Sequence, residues 1–213
     1  YTRGRVSNRA IYIDGEIPFA ELSSVPFKYC TDWENVTLAD DKGDAYEFYL
    51  TKGTHTIRME VTLGDMGMLL NDLQDSISRL NDMYRTILVL TGATPDRNRD
   101  YDLDKVFPEV MEAMEVEYKR LYKTVDDYKA YTGEISGDVA NVQKLAKQME
   151  TFIKKPEKIS KQFATFKSNI SSVGTSIMTL GESPLDIDLI TVTGTNKQPE
   201  EVKTSIFKSI GHT

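Results

Sequence analysis

The residues from Thr54 to Leu63 carry the pattern that most constrains how this chain folds. Apolar and polar side chains alternate there, with Ile57, Met59, Val61 and Leu63 set against Thr56, Arg58, Glu60 and Thr62. A period of two with one apolar face predicts a half-buried strand of an antiparallel sheet.

Beyond Gly64 the hydrophobic period changes to that of an α-helix and stays so for more than half of the chain. Apolar residues recur at three- and four-residue spacing in four segments, at about 66–88, 103–131, 136–153 and 157–180. Four amphipathic helices with short connections favour an antiparallel bundle, because each apolar stripe must be covered by its neighbours.

The strand pattern returns once, in the residues Leu185 to Val192. Because one isolated strand is not stable alone, we expect it to pair with the N-terminal sheet. The sequence thus predicts an α+β chain, an antiparallel β-sandwich interrupted by a four-helix bundle. Its parts are residues 1–64 plus 183–195 as the sandwich, 65–182 as the inserted helical bundle, and 196–213 as a tail or linker.

The first part of the chain adds further short strands to this sheet. Extended runs are predicted for Arg9 to Ile13, Val25 to Tyr29, Asn35 to Leu38 and Ala45 to Leu50. The first run ends at Asp14-Gly15, which is a strong turn pair. The last run is expected to form a hairpin with the alternating strand.

Composition excludes several classes of protein. The formal net charge of −7 argues against nucleic acid as a partner, since phosphate binding needs a basic surface. No apolar stretch approaches the ~20 residues that a membrane-spanning helix needs. Cys30 is the single cysteine, which excludes an intramolecular disulfide. The chain starts at Tyr1 rather than Met, so we expect a piece of a longer polypeptide with its targeting segment upstream.

No catalytic signature accompanies the fold, so we expect neither an enzyme nor a cofactor. The chain has only two histidines, His55 and His212, which gives poor support to a Ser-His-Asp or Cys-His arrangement. Neither of the glycine-rich phosphate-binding motifs, G-x-x-x-x-G-K-S/T and G-x-G-x-x-G, occurs in the sequence. Asp40, Asp41 and Asp44 could coordinate calcium, but the twelve-residue calcium-loop pattern is absent. A turn without metal is the favoured interpretation.

The loop Thr94 to Asp104 is the densest polar segment of the chain, and it contains Arg97, Arg99 and Tyr101. One interpretation is a solvated link whose charges pair and cap the next helix. The other is a recognition surface for a partner or a hydroxylated ligand.

Trp33 is the single tryptophan and follows Asp32 in a loop. An exposed indole there could stack on a sugar face while the carboxylate accepts hydroxyl hydrogen bonds. The alternative is that the indole is buried at the edge of the sheet.

Three segments together resemble a known family. The runs RAIYIDGEIPF, YEFYLTKGTHTIRMEVTLG and PLDIDLITV, with the tryptophan loop, resemble the later strands of galactose-binding-type jelly rolls, the β-sandwiches of many carbohydrate-binding modules. With the helical insertion included, the arrangement is also similar to a region of large extracellular solute-binding lipoproteins of bacterial carbohydrate ABC transporters.

This resemblance implies a non-catalytic accessory module of an exported solute-binding protein. It would be extracellular or at the cell envelope, lipid-anchored through a missing N-terminal segment, with a saccharide, other domains of the polypeptide or transporter components as partners. Two alternatives stay open: a protein-interaction or spacer domain without a small ligand, and the non-catalytic part of a glycoside-active enzyme.

Overall fold

The computed structural model describes residues 3–30, 34–194 and 197. The chain divides into two compact units. Leu63–Glu182 form a helical unit, and the residues before and after it form a β unit.

The β unit is built on one antiparallel sheet within the described residues. Its strands are β1 (Val6–Ile13), β2 (Val25–Lys28) and β3 (Ile57–Thr62), in the order β2-β1-β3. A short 3-10 turn over Ala20–Ser23 precedes β2. At the end of β1, Asp14 (φ 52°) and Gly15 (φ 92°) both adopt positive φ, as a tight hairpin turn requires. The predicted strands at 9–13, 25–29 and 54–63 are therefore confirmed in their main parts.

The central strand β1 is buried along most of its length, including three polar residues, Ser7, Asn8 and Arg9. Buried polar groups need hydrogen-bond partners, and the returning chain supplies them for Ser7 and Arg9. The Arg9 guanidinium donates to the carbonyl of Ser183 at 2.6 Å. The Ser7 hydroxyl donates to the carbonyl of Pro184. These side chains fix the point at which the chain re-enters the β unit.

The predicted strand over 185–192 is wrong, because this segment is irregular and joins no ladder. Its apolar side chains from Ile187 onward are exposed, with Ile187 45% and Leu189 78% exposed. The alternating pattern was real, but a strand also needs a free edge within reach. Here the contact with β1 is made by Ser7 and Arg9 side chains to two carbonyls, and the chain leaves the sheet after them.

The predicted hairpin of 45–50 with β3 is also wrong. β3 pairs with β1 instead, placing Met59 opposite Ile11 and Ile57 opposite Ile13. Residues 35–38 and 45–50 are irregular apart from a single bridge between Ala39 and Ala45. Within the described residues there is one three-stranded sheet, so the two-sheet jelly-roll sandwich is not observed there.

The helical unit contains four long helices and two single turns within 63–182. The helices are α1 (Met66–Thr91), α2 (Leu103–Val106), α3 (Pro108–Thr132), α4 (Gly137–Lys154), α5 (Lys158–Lys161) and α6 (Phe163–Leu180). The four-helix bundle predicted from the periodicity is confirmed. The predicted second helix is interrupted at Phe107, because the residue before proline avoids helical geometry.

The four long helices follow one another around the bundle in the order in which they occur in the sequence. Each is antiparallel to its two neighbours. α1 packs against α3 and α6, and α4 packs against the same two helices. The starts of α1 and α4 meet the ends of α3 and α6, where Met66, Val139, Tyr128 and Leu180 line one crevice. The remaining core includes fully buried Phe152, Phe163 and Phe166, whose burial requires all four helices to be in place.

An ion pair between a buried carboxylate and a partly exposed guanidinium joins α1 to α3. Glu117 is 1% exposed, and both of its carboxylate oxygens accept hydrogen bonds from Arg79, at 2.7 and 3.1 Å. Arg120 lies 3.7 Å from the same carboxylate. A two-pronged contact of this kind fixes how the two helices are aligned along their axes.

Removing Arg79 should destabilise the bundle, because the buried Glu117 carboxylate loses both of its short hydrogen bonds from Arg79 and keeps Ser76 and the longer contact with Arg120. We expect Arg79→Ala to lower the free energy of unfolding by about 2 kcal/mol, measured by urea denaturation followed by circular dichroism. The matched control is Arg85→Ala on the same helix, whose ion pair with Asp82 is exposed and worth less than ~1 kcal/mol. Equal losses in the two variants would contradict the argument.

Candidate functional site

Two of the candidate residues, Asp32 and Trp33, lie outside the described residues. Their proposed stacking and hydrogen-bonding roles stay predictions. The described residues that flank them, Cys30 and Glu34, are exposed.

The loop between α1 and α2 brings Arg99 and Tyr101 together. The Arg99 guanidinium lies over the Tyr101 ring, 4.8 Å from its centroid. The Tyr101 hydroxyl accepts a hydrogen bond from the Asp96 amide at 2.9 Å, and its ring packs against the bundle core. Tyr101 therefore holds the loop to the bundle, whereas Arg97 is exposed.

The acidic residues of this loop serve local geometry. The Asp96 carboxylate accepts a hydrogen bond from the backbone amide of Asn98 at 2.9 Å, and the Asp100 carboxylate accepts one from the backbone amide of Asp102 at 3.0 Å. Asp102 also pairs with Lys105 at 2.5 Å. These contacts are those of a solvated link that shapes its own turns, while a ligand-binding role of Arg97, Arg99 and Tyr101 stays a prediction.

The crevice at this end of the bundle has no room for a small-molecule ligand. That crevice has an apolar lining that includes Leu73 and Val125, and its cavity volume is about 10 Å³. Such a space matches roughly one water-sized sphere, whereas ligand pockets occupy several hundred Å³. The helical unit is thus built as a packed scaffold.

The buried carboxylate of Glu117 is not poised for acid–base chemistry. Its burial acts to raise its pKa, but hydrogen bonds from Arg79 and Ser76, with the charges of Arg79 and Arg120, lower the pKa overall. Glu117 therefore stays ionised and paired, which is the state of a structural carboxylate.

The β unit contains an aromatic cluster that the sequence analysis did not identify as a site. The rings of Phe19 and Tyr46 are stacked, with centroids 5.2 Å apart and planes 25° apart. The Phe48 ring lies 5.5 Å from Phe19. All three side chains are partly exposed. We call Phe19, Tyr46 and Phe48 the aromatic cluster.

A tight acidic turn positions Tyr46 in this cluster. The Asp40 amide donates to the Asp44 carbonyl, and the Asp40 carboxylate accepts the amides of Lys42 and Asp44, each at 2.9 Å. Gly43 completes the turn with a φ of 89°. The Tyr46 amide then donates to the Leu38 carbonyl at 2.8 Å. Asp40 is thus used in shaping the turn.

The negative charges of three carboxylates act on the phenol of Tyr46. Partial burial raises the pKa of Tyr46, and the charges of Glu21, Asp40 and Asp41 raise it further. An aromatic face bordered by carboxylates offers stacking together with hydrogen-bond acceptors, which suits a hydroxylated ligand. The alternation of Tyr46 and Phe48 was visible in the sequence, but their contact with Phe19 depends on tertiary structure.

Comparison with known families decides the class of the helical unit. The family described as bacterial solute-binding protein, four-helix bundle domain, matches residues 68–183, which is more than half of the chain. The chain belongs to this family. No curated protein and no solved structure matches it.

Membership in the solute-binding bundle family confirms the predicted relation to bacterial solute-binding proteins. It is a family of binding proteins, not of enzymes. The matched residues nearly coincide with the helical unit, so the aromatic cluster lies outside the match. No helix in the described part of this solute-binding bundle protein is long and apolar enough to span a membrane.

We expect the aromatic cluster to hold the segment 38–48 in place. Phe19→Ala removes the ring on which Tyr46 and Phe48 pack, so protection of the Tyr46 amide from hydrogen exchange should fall at least about tenfold. Amides of the long helices should be unaffected. Tyr49→Ala is the control, because that side chain is 95% exposed. Unchanged exchange at Tyr46 in Phe19→Ala would contradict a stabilising role for the cluster.

Proposed function

We propose that this chain is a non-catalytic segment of an exported, saccharide-recognising solute-binding protein of a bacterial ABC transporter. The observation that carries the proposal is the family match over 68–183. Solute-binding proteins act outside the cell or at its envelope, and we extend this to a lipid anchor upstream of the chain.

In this proposal the two units have different tasks. The helical unit is a rigid scaffold, since its core is filled and its crevice is too small for a sugar. Contact with the solute is assigned to the β unit, through the aromatic cluster and the acidic side chains near Tyr46. Sugar rings present apolar faces that stack on aromatic rings, and their hydroxyls donate hydrogen bonds to carboxylates. Trp33 is a further candidate for stacking.

The fine architecture of the β unit is part of the proposal as well. The resemblance to jelly-roll carbohydrate-binding modules supports a sandwich in the complete protein, to which β1, β2 and β3 would contribute one sheet. The sequence flanking this chain tests the transport assignment. We expect a lipobox and solute-binding lobes there. A hydrolase barrel would instead favour the non-catalytic part of a glycoside-active enzyme.

Saccharide binding is tested by a glycan array, followed by calorimetric titration of the bound glycans. Tyr46→Ala should weaken binding at least about tenfold, which corresponds to about 1.4 kcal/mol. Tyr49→Ala should bind as the unaltered chain does, because Tyr49 makes none of the cluster's ring contacts. Trp33→Ala reports separately on the second candidate. Absence of binding to every glycan would overturn the saccharide assignment.

One observation favours a protein partner as the second candidate function. The segment after Pro184 presents several apolar side chains to solvent, and Leu189, Ile190 and Val192 are each more than half exposed. Contiguous exposed apolar residues of this kind occur at protein interfaces. An interaction or spacer module would keep its partner when Tyr46→Ala is introduced.

A further inference from the structure

His55 lies where two segments of the β unit meet, and each of its ring nitrogens faces an oxygen. Nδ1 is 2.6 Å from a carboxylate oxygen of Asp14, in the turn after β1. Nε2 is 2.7 Å from the carbonyl oxygen of Thr51. The His55 side chain is 21% exposed and that of Asp14 is 50% exposed.

The two contacts together define the protonation state. A carboxylate and a backbone carbonyl can only accept, so each contact is a hydrogen bond only when the facing nitrogen carries a proton. Neutral imidazole carries one such proton and imidazolium carries two. Both contacts are therefore hydrogen bonds at the same time only in the cation.

The Asp14 turn holds β3 independently of His55. The second carboxylate oxygen of Asp14 accepts the Thr56 amide at 2.8 Å, and the Asp14 amide donates to the Thr56 carbonyl at 2.9 Å. These two bonds need no proton from the imidazole. Loss of the His55 charge therefore leaves the start of β3 attached.

Deprotonation of the imidazolium affects the contact between His55 Nε2 and the Thr51 carbonyl. The remaining proton stays on Nδ1, since a carboxylate is the stronger acceptor. The lone pair of Nε2 then faces the Thr51 carbonyl oxygen, and this contact becomes repulsive. Thr51 closes the segment that begins at the Asp40 turn and carries Tyr46 and Phe48.

We propose that His55 is a proton-controlled clamp that fastens the Thr51 end of the segment 40–51 to the Asp14 turn and releases it when the imidazolium loses its proton. The clamp is a property of the free protein and does not rest on the proposed saccharide function. As a consequence, the position of the Thr51 end of the segment that carries Tyr46 and Phe48 depends on pH.

Among the described residues, Asp14 is the charged group that pairs with His55. Glu16 in the same turn and Lys52 in the facing segment are exposed. Arg58 at the start of β3 pairs with Glu60 at 3.2 Å and lies over the Tyr12 ring.

The direction of the pH dependence follows from the contacts. The hydrogen bond to Asp14 raises the pKa of His55 above its usual 6.5, and the Thr51 carbonyl and the charge of Asp14 add to this, outweighing the opposing effect of burial. A raised folded-state pKa means that the clamp stabilises fully below pH 6.5 and is lost as pH rises through the folded-state pKa. The carboxylate pKa of Asp14 is correspondingly lowered, so Asp14 stays ionised over this window.

The clamp is tested by nuclear magnetic resonance on the unaltered chain between pH 5.5 and 9. The histidine ring nitrogens report charge, and His212→Gln identifies which signal belongs to His55. We expect His55 to titrate with a midpoint above 6.5. Backbone order parameters of residues 47–53 should fall from about 0.85 towards 0.6 across that midpoint. Those of β3 should stay unchanged.

Two variants separate the clamp from a general loosening of the β unit. His55→Gln should abolish the pH dependence of residues 47–53 while the helical unit keeps its spectrum. Asp14→Asn keeps a residue that tolerates positive φ but removes the carboxylate, so the His55 midpoint should fall. A His55 midpoint at or below 6.5, or the same pH-dependent loosening in His55→Gln, would overturn the proposal.

Discussion

The burial of one apolar stripe from each of four helices is the constraint on which the helical unit depends. No stripe is stable in water alone, and each is covered by the two neighbouring helices of the bundle. The fully buried side chains Phe152, Phe163 and Phe166 occupy the space between the helices, and the Tyr84 ring stacks on Phe163 at 4.4 Å. A core filled in this way gives stiffness, and it leaves little internal volume for a ligand.

Apolar packing alone would tolerate several alignments of the helices along their axes. Polar contacts inside the bundle select one of these alignments. Arg79 and Glu117 join α1 to α3. On the opposite pair, the Asn169 amide donates to Gln148 at 2.8 Å and Asn141 donates to Ser176 at 3.0 Å, which joins α4 to α6. Sliding either pair by one helical turn would leave these buried groups without partners, which is costly.

The β unit shows where prediction from sequence stopped being sufficient. The alternation over Thr54 to Leu63 located β3, which is shorter at Ile57–Thr62, yet Ile57 and Val61 on its apolar face are exposed. The same type of alternation after Pro184 gave no strand. A period of two indicates which side chains share a face of a strand. Which other strand it pairs with depends on which strand edge the folded chain brings next to it, and this is decided by residues far away in the sequence. The aromatic cluster was missed for the same reason, since Phe19 and Tyr46 are far apart in sequence.

The sequence by itself determined the four long helices and their antiparallel bundle, because helix periodicity acts within a few residues, but it did not show the break at Phe107 that separates α2 from α3. It also determined the turn at Asp14-Gly15. Only the tertiary structure decided that β3 pairs with β1, that Arg9 and Ser7 hold the returning chain, and that His55 sits between two acceptors. Each of these is a contact between distant segments, whose partners no local pattern can specify.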